Sequence, residues 1–133
     1  MTTFHLQIVT PDRMVFDGQA ERVIVRTAGG DVCILPRHID YMAPLGIGQA
    51  RVTDAQGNTR CAACNGGLIS VLNGEARVLA TTFEWAEEID GPRAERAQQR
   101  AEEQLKTLQR GEKAFDIAEA KLKRALARLQ AKE

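Results

Sequence analysis

At 133 residues the chain is long enough for one packed domain plus an appendage and too short for two full domains. Its 18 basic and 18 acidic residues cancel, which argues against a dedicated nucleic-acid binder, and its three cysteines, odd in number and without framework spacing, argue against a disulfide-stapled secreted fold. No apolar run approaches bilayer-spanning length, and Met1-Thr2-Thr3-Phe4-His5 has neither the basic nor the hydrophobic block of a secretory leader, so the expectation is a reducing cytoplasm.

Phe4, Leu6 and Ile8 alternate with His5 and Gln7, the pattern of a strand with one buried face, and Thr10-Pro11-Asp12 turns it. Met14 to Gly18 and Glu21 to Thr27 continue in extended form as far as the turn at Ala28-Gly29-Gly30-Asp31. Val32 to Leu35 is short and wholly apolar, which predicts a strand covered on both sides and therefore a sandwich. The loop from Pro36 to Pro44 carries Tyr41 and Met42, large groups for a connection, which points to docking. Gln49 to Thr53 and Thr59 to Ala63 read as a hairpin around Ala55-Gln56-Gly57-Asn58, and Leu68 to Leu72 and Glu75 to Thr81 as another around Asn73-Gly74, where both turn residues tolerate positive φ. Eight to ten short strands are expected before residue 84.

The character of the chain changes between Thr82 and Arg100. Asp90 can cap a helix with its side-chain oxygen, and Pro92 falls in the first turn, where its missing N–H costs nothing. Beyond it, Ala94, Ala97, Ala101, Leu105 and Leu108, then Phe115, Ala118, Leu122, Ala125 and Leu129, step by three and four, with Gly111 as the natural stop of the first helix. This predicts a β-sandwich over residues 1–87 and an antiparallel two-helix hairpin over 88–133, each helix about 20 residues and roughly 30 Å long. Ordering a residue's backbone costs about 1–2 kcal/mol, and burying a leucine or phenylalanine returns roughly 1.5–3 kcal/mol, an alanine much less. A seam that is half alanine is therefore marginal alone, and the hairpin needs a partner surface, a ligand at its base, or both.

The neutral sum hides an asymmetry. Residues 1–87 hold nine acids and seven bases, whereas from Lys121 to Lys132 there are five bases and no acid. That run suits either an acidic partner or a solvated helix face. Cys61-Ala62-Ala63-Cys64 has the spacing of a redox or metal pair, but residues three apart on a strand face opposite sides and no second ligand pair follows, so buried thiols are the better reading. Cys33 lies in an apolar strand with nothing to lower its pKa, and no catalytic constellation emerges.

The order and spacing of Phe4-His5-Leu6-Gln7-Ile8-Val9-Thr10-Pro11, Gly30-Asp31-Val32-Cys33-Ile34-Leu35-Pro36-Arg37-His38, Asn65-Gly66-Gly67, Val78-Leu79-Ala80 and Ile89-Asp90-Gly91-Pro92-Arg93-Ala94 resemble the epsilon subunit of bacterial F-type ATP synthases over the whole chain. The chain departs from that family's usual pattern at Arg37, where glycine is common, at Ile39-Asp40, where alanine-proline is, and at Cys64 or Asn65, where serine is.

The resemblance implies a rotor subunit with no activity of its own, coupling ion flow (proton or sodium) through the membrane ring to ATP synthesis. It implies a sandwich packed on the gamma subunit and standing on the c-ring through the loop with Asp31 and His38, near Tyr41 and Met42. It implies a hairpin that either folds against the sandwich or extends into the catalytic alpha and beta subunits and restrains ATP hydrolysis, with Lys121, Lys123, Arg124 and Arg128 facing an acidic loop of beta. The place implied is the cytoplasmic face of a bacterial cell membrane, reached only through the complex, with no nucleic acid and no required cofactor. In several relatives the folded hairpin binds ATP as a regulatory ligand through a pattern that Ile89, Asp90, Arg93 and Ala94 match. Glu84 matches a contact from the sandwich side, Arg100 lies two turns beyond Arg93, and Arg124 reaches in from the second helix. The residues alone equally suit a plain N-cap at Asp90 and solvated bases at Arg93 and Arg100. A free-standing sandwich module with an oligomerising helical tail is the alternative function.

Overall fold

The computed structural model describes residues 2–133. Among them seven strands, β1 (Phe4–Val9), β2 (Met14–Thr27), β3 (Gly30–Ile34), β4 (Tyr41–Pro44), β5 (Ile47–Asp54), β6 (Thr59–Leu72) and β7 (Glu75–Trp85), precede a 3₁₀ turn (Ala86–Glu88) and the helices α1 (Gly91–Thr107) and α2 (Lys113–Lys132). The alternation at the start of the chain places Phe4, Leu6 and Ile8 in the core. Asn73 and Gly74 both take positive φ, 52° and 78°, and close the β6–β7 hairpin as a primed turn requires.

The strands form two layers because three of them pass from one layer to the other. The first half of β2 pairs with β1, and its second half pairs with β5 on one side and β3 on the other. The first half of β6 pairs with β5 and its second half with β4, while β7 follows β6 along nearly its whole length and gives its early residues to β1. One layer is thus β3-β2-β5-β6-β7 and the other β2-β1-β7-β6-β4, with Leu6, Ile8, Val23, Val25, Ile69 and Val78 fully buried between them. The corners are local irregularities. A bulge in β2 lies between Ala20 and Arg22, and Gly66 and Gly67 carry β6 around at φ 66° and 106°. A Cβ on Gly67 would sit 1.9 Å from the Leu79 carbonyl oxygen, so no other residue fits.

These corners explain why seven strands stand where eight to ten short ones were expected: pieces that the sequence punctuates are single bent strands of 14 residues each in β2 and β6. Three further expectations are corrected. Val32 to Leu35 is not covered on both sides, because β3 is an edge strand whose outer face is open, leaving Cys33 and Leu35 exposed. Tyr41 and Met42 lie in a strand, β4, and not in a loop. α1 stops at Thr107, a turn before Gly111, which instead bends the interhelical loop at φ 94°. Arg37 adopts φ 65°, the left-handed region in which a glycine would carry no steric cost.

The hairpin lies folded on the sandwich. Asp90 caps α1 by accepting from the Arg93 N–H at 3.1 Å, with Pro92 in the first turn. Ala94 and Ala101 of α1 and Ala118 and Ala125 of α2 are buried, small enough to let the helices approach closely. α2 seats on β5 and β6, where Ala127 and Ala131 pack with Ala63 and Ile89, flanked by Ile47 and Ala86. The partner surface that the alanine seam calls for is supplied by the chain's own first domain.

Candidate functional site

Where hairpin meets sandwich a cleft of about 330 Å³ opens. Its floor and one wall come from the joint itself: Glu84 at the end of β7, Glu88 and Ile89 in the connector, and Asp90, Arg93, Ala94, Ala97 and Arg100 along α1. Arg128 of α2 closes the other side. A second cleft of about 280 Å³ continues from it between the helices, sharing Ala97, Arg100 and Arg128 and adding Gln104, Lys121 and Arg124. The fold therefore brings Glu84, Ile89, Asp90, Arg93, Ala94 and Arg100 together in one cleft and puts Arg124 in its extension.

The charge in this space is graded. Around the joint Glu84, Glu88 and Asp90 share the wall with Arg93, Arg100 and Arg128, whereas between the helices the charged lining is Arg100, Lys121, Arg124 and Arg128, with no carboxylate. One ion pair bridges the two regions, Arg128 Nε donating to Glu84 Oε1 at 2.7 Å with both side chains about two-thirds buried. Arg128 belongs to the cleft as well as to the basic run, and the signal for it lies in spacing: Lys121, Arg124 and Arg128 step by three and four along one face of α2, as Arg93, Ala97, Arg100 and Gln104 do along α1. Lys123 points elsewhere and pairs with Glu119 on the solvated side at 3.7 Å. Glu88, too, was missed by motif reading; only its position in the connector hinted at it.

The connector is clamped to the sandwich. Arg13 Nη2 donates to Glu88 Oε1 at 2.8 Å, Glu88 Oε1 also accepts from the Trp85 N–H at 3.1 Å, and Arg60 pairs with Glu87 while its guanidinium lies 3.8 Å from the Trp85 ring centroid. The hydrogen bond from Arg60 holds the Glu87 carboxyl below the ordinary glutamate range, and that from Arg13 does the same for Glu88. A carboxylate with a lowered folded-state pKa contributes stability that is complete above its unfolded value and is lost as pH falls through the lowered one. Acid titration is therefore expected to loosen the connector only below the ordinary glutamate range, read as a change in Trp85 emission. Arg60→Gln together with Arg13→Gln should move that onset to higher pH.

The other expected contact residues lie apart from the cleft. Asp31 pairs with Arg26 at 2.7 Å across the β2–β3 hairpin, whereas His38 donates from Nδ1–H to the Ile39 carbonyl at 2.8 Å and meets Tyr41 edge-on. No side-chain hydrogen bond among the described residues joins Asp31 to His38. Cys64 is buried and its thiol is pushed up to about 12 by desolvation, and Cys61 is only half-buried, so the pair is not a redox centre.

The outer face of the β2-β1-β7-β6-β4 layer carries a feature that composition hid. Pro44 stands opposite Leu68, Leu68 opposite Leu79, Leu79 opposite Val9 and Val9 opposite Met14, an apolar row across five strands. Met14 is 51 % and Leu79 46 % exposed, and Met42, two residues along β4 from Pro44, is 66 % exposed. A contiguous apolar band of this kind on a charged protein marks a docking face.

Comparison with known sequences agrees with this architecture. Residues 3–86 match the ATP synthase delta/epsilon chain β-sandwich domain, and residues 87–133 the long α-helix domain of the same chain. The chain is 38 % identical to the ATP synthase epsilon chain of Ruminococcus albus, over 97 % of this chain and 96 % of that one. It is 43 % identical to that of Bacillus cytotoxicus over the same shares, 97 % and 96 %, and 36 % identical to that of an Exiguobacterium species over 100 % and 98 %. In fold it is similar to a chain of the Euglena gracilis mitochondrial ATP synthase, with a TM-score of 0.84 at 21 % identity over 98 % of this chain and 81 % of that one. Matches that span both parts of the chain overturn the alternative of a free-standing binding module. The chain belongs to the epsilon-chain family of ATP synthase and is an accessory subunit, not a catalytic one.

Proposed function

We propose that the chain couples rotation to ATP synthesis through its sandwich and regulates ATP hydrolysis through its hairpin, with ATP as the ligand that favours the folded hairpin. The cleft, mixed in charge at the joint and wholly basic between the helices, carries this reading. Its basic end offers guanidinium groups from both helices, suited to the bidentate binding of phosphate oxygens. Its joint end offers carboxylates placed to accept from the exocyclic amine of adenine. A ligand that bridges α1 and α2 adds to the folded state by RT ln(1 + [L]/Kd) and offsets the weakness of the alanine seam. No glycine-rich phosphate loop accompanies the cleft, so the role is sensing and not hydrolysis.

The apolar row and Met42 would seat the gamma subunit, and the end of the sandwich with His38 and Tyr41 would stand on the c-ring. In the folded form Arg124 and Arg128 are turned inward, so contact of the basic run with an acidic surface of the beta subunit requires the hairpin to open. No helix among the described residues is long and apolar enough to cross a membrane, and the subunit would reach the cytoplasmic face of the cell membrane through the complex.

Titration of the intact chain with ATP, and with GTP as control, tests the cleft. Trp85 lies between two of its lining residues, Glu84 and Glu88 within three positions on either side, and its emission together with calorimetry reports binding. Saturable binding selective for ATP is expected, weakened at least about tenfold in Arg93→Ala and in Arg100→Ala. Asp90→Asn keeps the helix cap and removes the charge, so it separates ligand contact from capping. Absence of binding at millimolar ATP would sink the nucleotide reading and leave the hairpin governed by stalk contacts.

A further inference from the structure

The far end of the hairpin grips the hinge on which the hairpin turns. Lys132, in the last turn of α2, donates from Nζ to the carbonyl oxygens of both Ala86 and Ile89, each at 3.0 Å. These two carbonyls bracket the connector: Ala86 opens the 3₁₀ turn, and Ile89 directly precedes the cap residue of α1. The lysine methylenes lie over Gly91. One ammonium thus ties the end of the β-domain to the start of the helical one.

Its geometry differs in kind from the other restraints on the connector. The Arg13–Glu88 and Arg60–Glu87 pairs involve no residue of α2 and can persist whichever way the hairpin lies. The Lys132 bonds exist only while α2 is down, and they fix the relative positions of two carbonyls that must separate or reorient if α1 swings about the connector. Each is a charge-assisted bond to a carbonyl with a lone pair to spare.

We propose that Lys132 is a latch: by bridging Ala86 O and Ile89 O it holds the connector in the path that seats the hairpin, with no ligand required. Hydrogen exchange of the full chain in the absence of nucleotide tests it, comparing the wild type with Lys132→Met, which keeps the stem and loses the donors. Amides of residues 86–94 and of 124–131 are expected to exchange about threefold to tenfold faster in the variant, those of β1 and β5 at the same rate. A rise confined to the last turn of α2 would show simple helix-end fraying and overturn the latch. So would unchanged exchange in the connector, or an equal rise in Lys123→Met, which removes a charge from α2 at its solvated face. Because no nucleotide is present, the outcome is independent of whether the cleft binds ATP.

Discussion

Gly67→Ala is expected to remove a large part of the sandwich's stability at 25 °C. Two penalties coincide at this residue. Its φ of 106° belongs to a region that residues with a Cβ scarcely enter, and the added methyl would stand 1.9 Å from a main-chain oxygen, inside any contact distance. Main-chain atoms of a paired strand cannot move aside as a flexible side chain can, so the loss should reach about 3–5 kcal/mol, a large part of a small domain's stability. Gly74→Ala is the control, because Gly74 also has a positive φ, 78°, but open space around it. It should cost only about 1 kcal/mol. Urea denaturation followed by circular dichroism measures both. Similar midpoints for the two variants would mean that the β6 corner can relax and that the close approach to Leu79 is not what reserves the position for glycine.

Leu79→Asp should behave in the opposite way, with an isolated chain nearly as stable as the wild type and assembly lost. Leu79 is at the centre of the apolar row and already about half in water, so a carboxylate there changes little in the free subunit. Docking would force that charge into an apolar contact, with Arg77, two residues along β7, the base on the same face, and should weaken association by about a hundredfold. Co-purification with the gamma subunit proposed to dock there, read beside a melting curve of the isolated variant, separates the two effects. Retention of assembly would place the docking face elsewhere on the sandwich.

Much of the architecture was legible because it is written in short-range chemistry. The Asn73-Gly74 turn, the Phe4-Leu6-Ile8 alternation and the Asp90-Gly91-Pro92 start of α1 each require only neighbours along the chain. What was hidden depends on residues far apart. Gly66-Gly67 and the Ala20–Arg22 bulge resemble ends of strands in sequence, and only the paired partners show that they are corners within one strand. The apolar run at Val32 to Leu35 carries no mark that its strand is an edge. In the cleft, the residues on α1 were foreseeable from one local pattern, whereas spacing put Arg128 on the face of Arg124 and only the return of α2 onto Glu84 showed what that face meets. The apolar row was invisible for the same reason, since Pro44, Leu68, Leu79, Val9 and Met14 share a line only once five strands are in register.

The passage of β6 and β7 through both layers also has a mechanical meaning. The apolar row occupies one layer and the hairpin seat, at Ala63, the other, and the same two hydrogen-bonded backbones run through each. A load applied at the row is carried to the seat along continuous chain, with no slip plane between the layers, so the sandwich behaves as a stiff strut. Between the seat and the helices only Ala86 to Asp90 leaves that ladder, held by side-chain bonds from Arg13, Arg60 and Lys132, so strain that reaches the hairpin meets individual bonds there and not a continuous sheet.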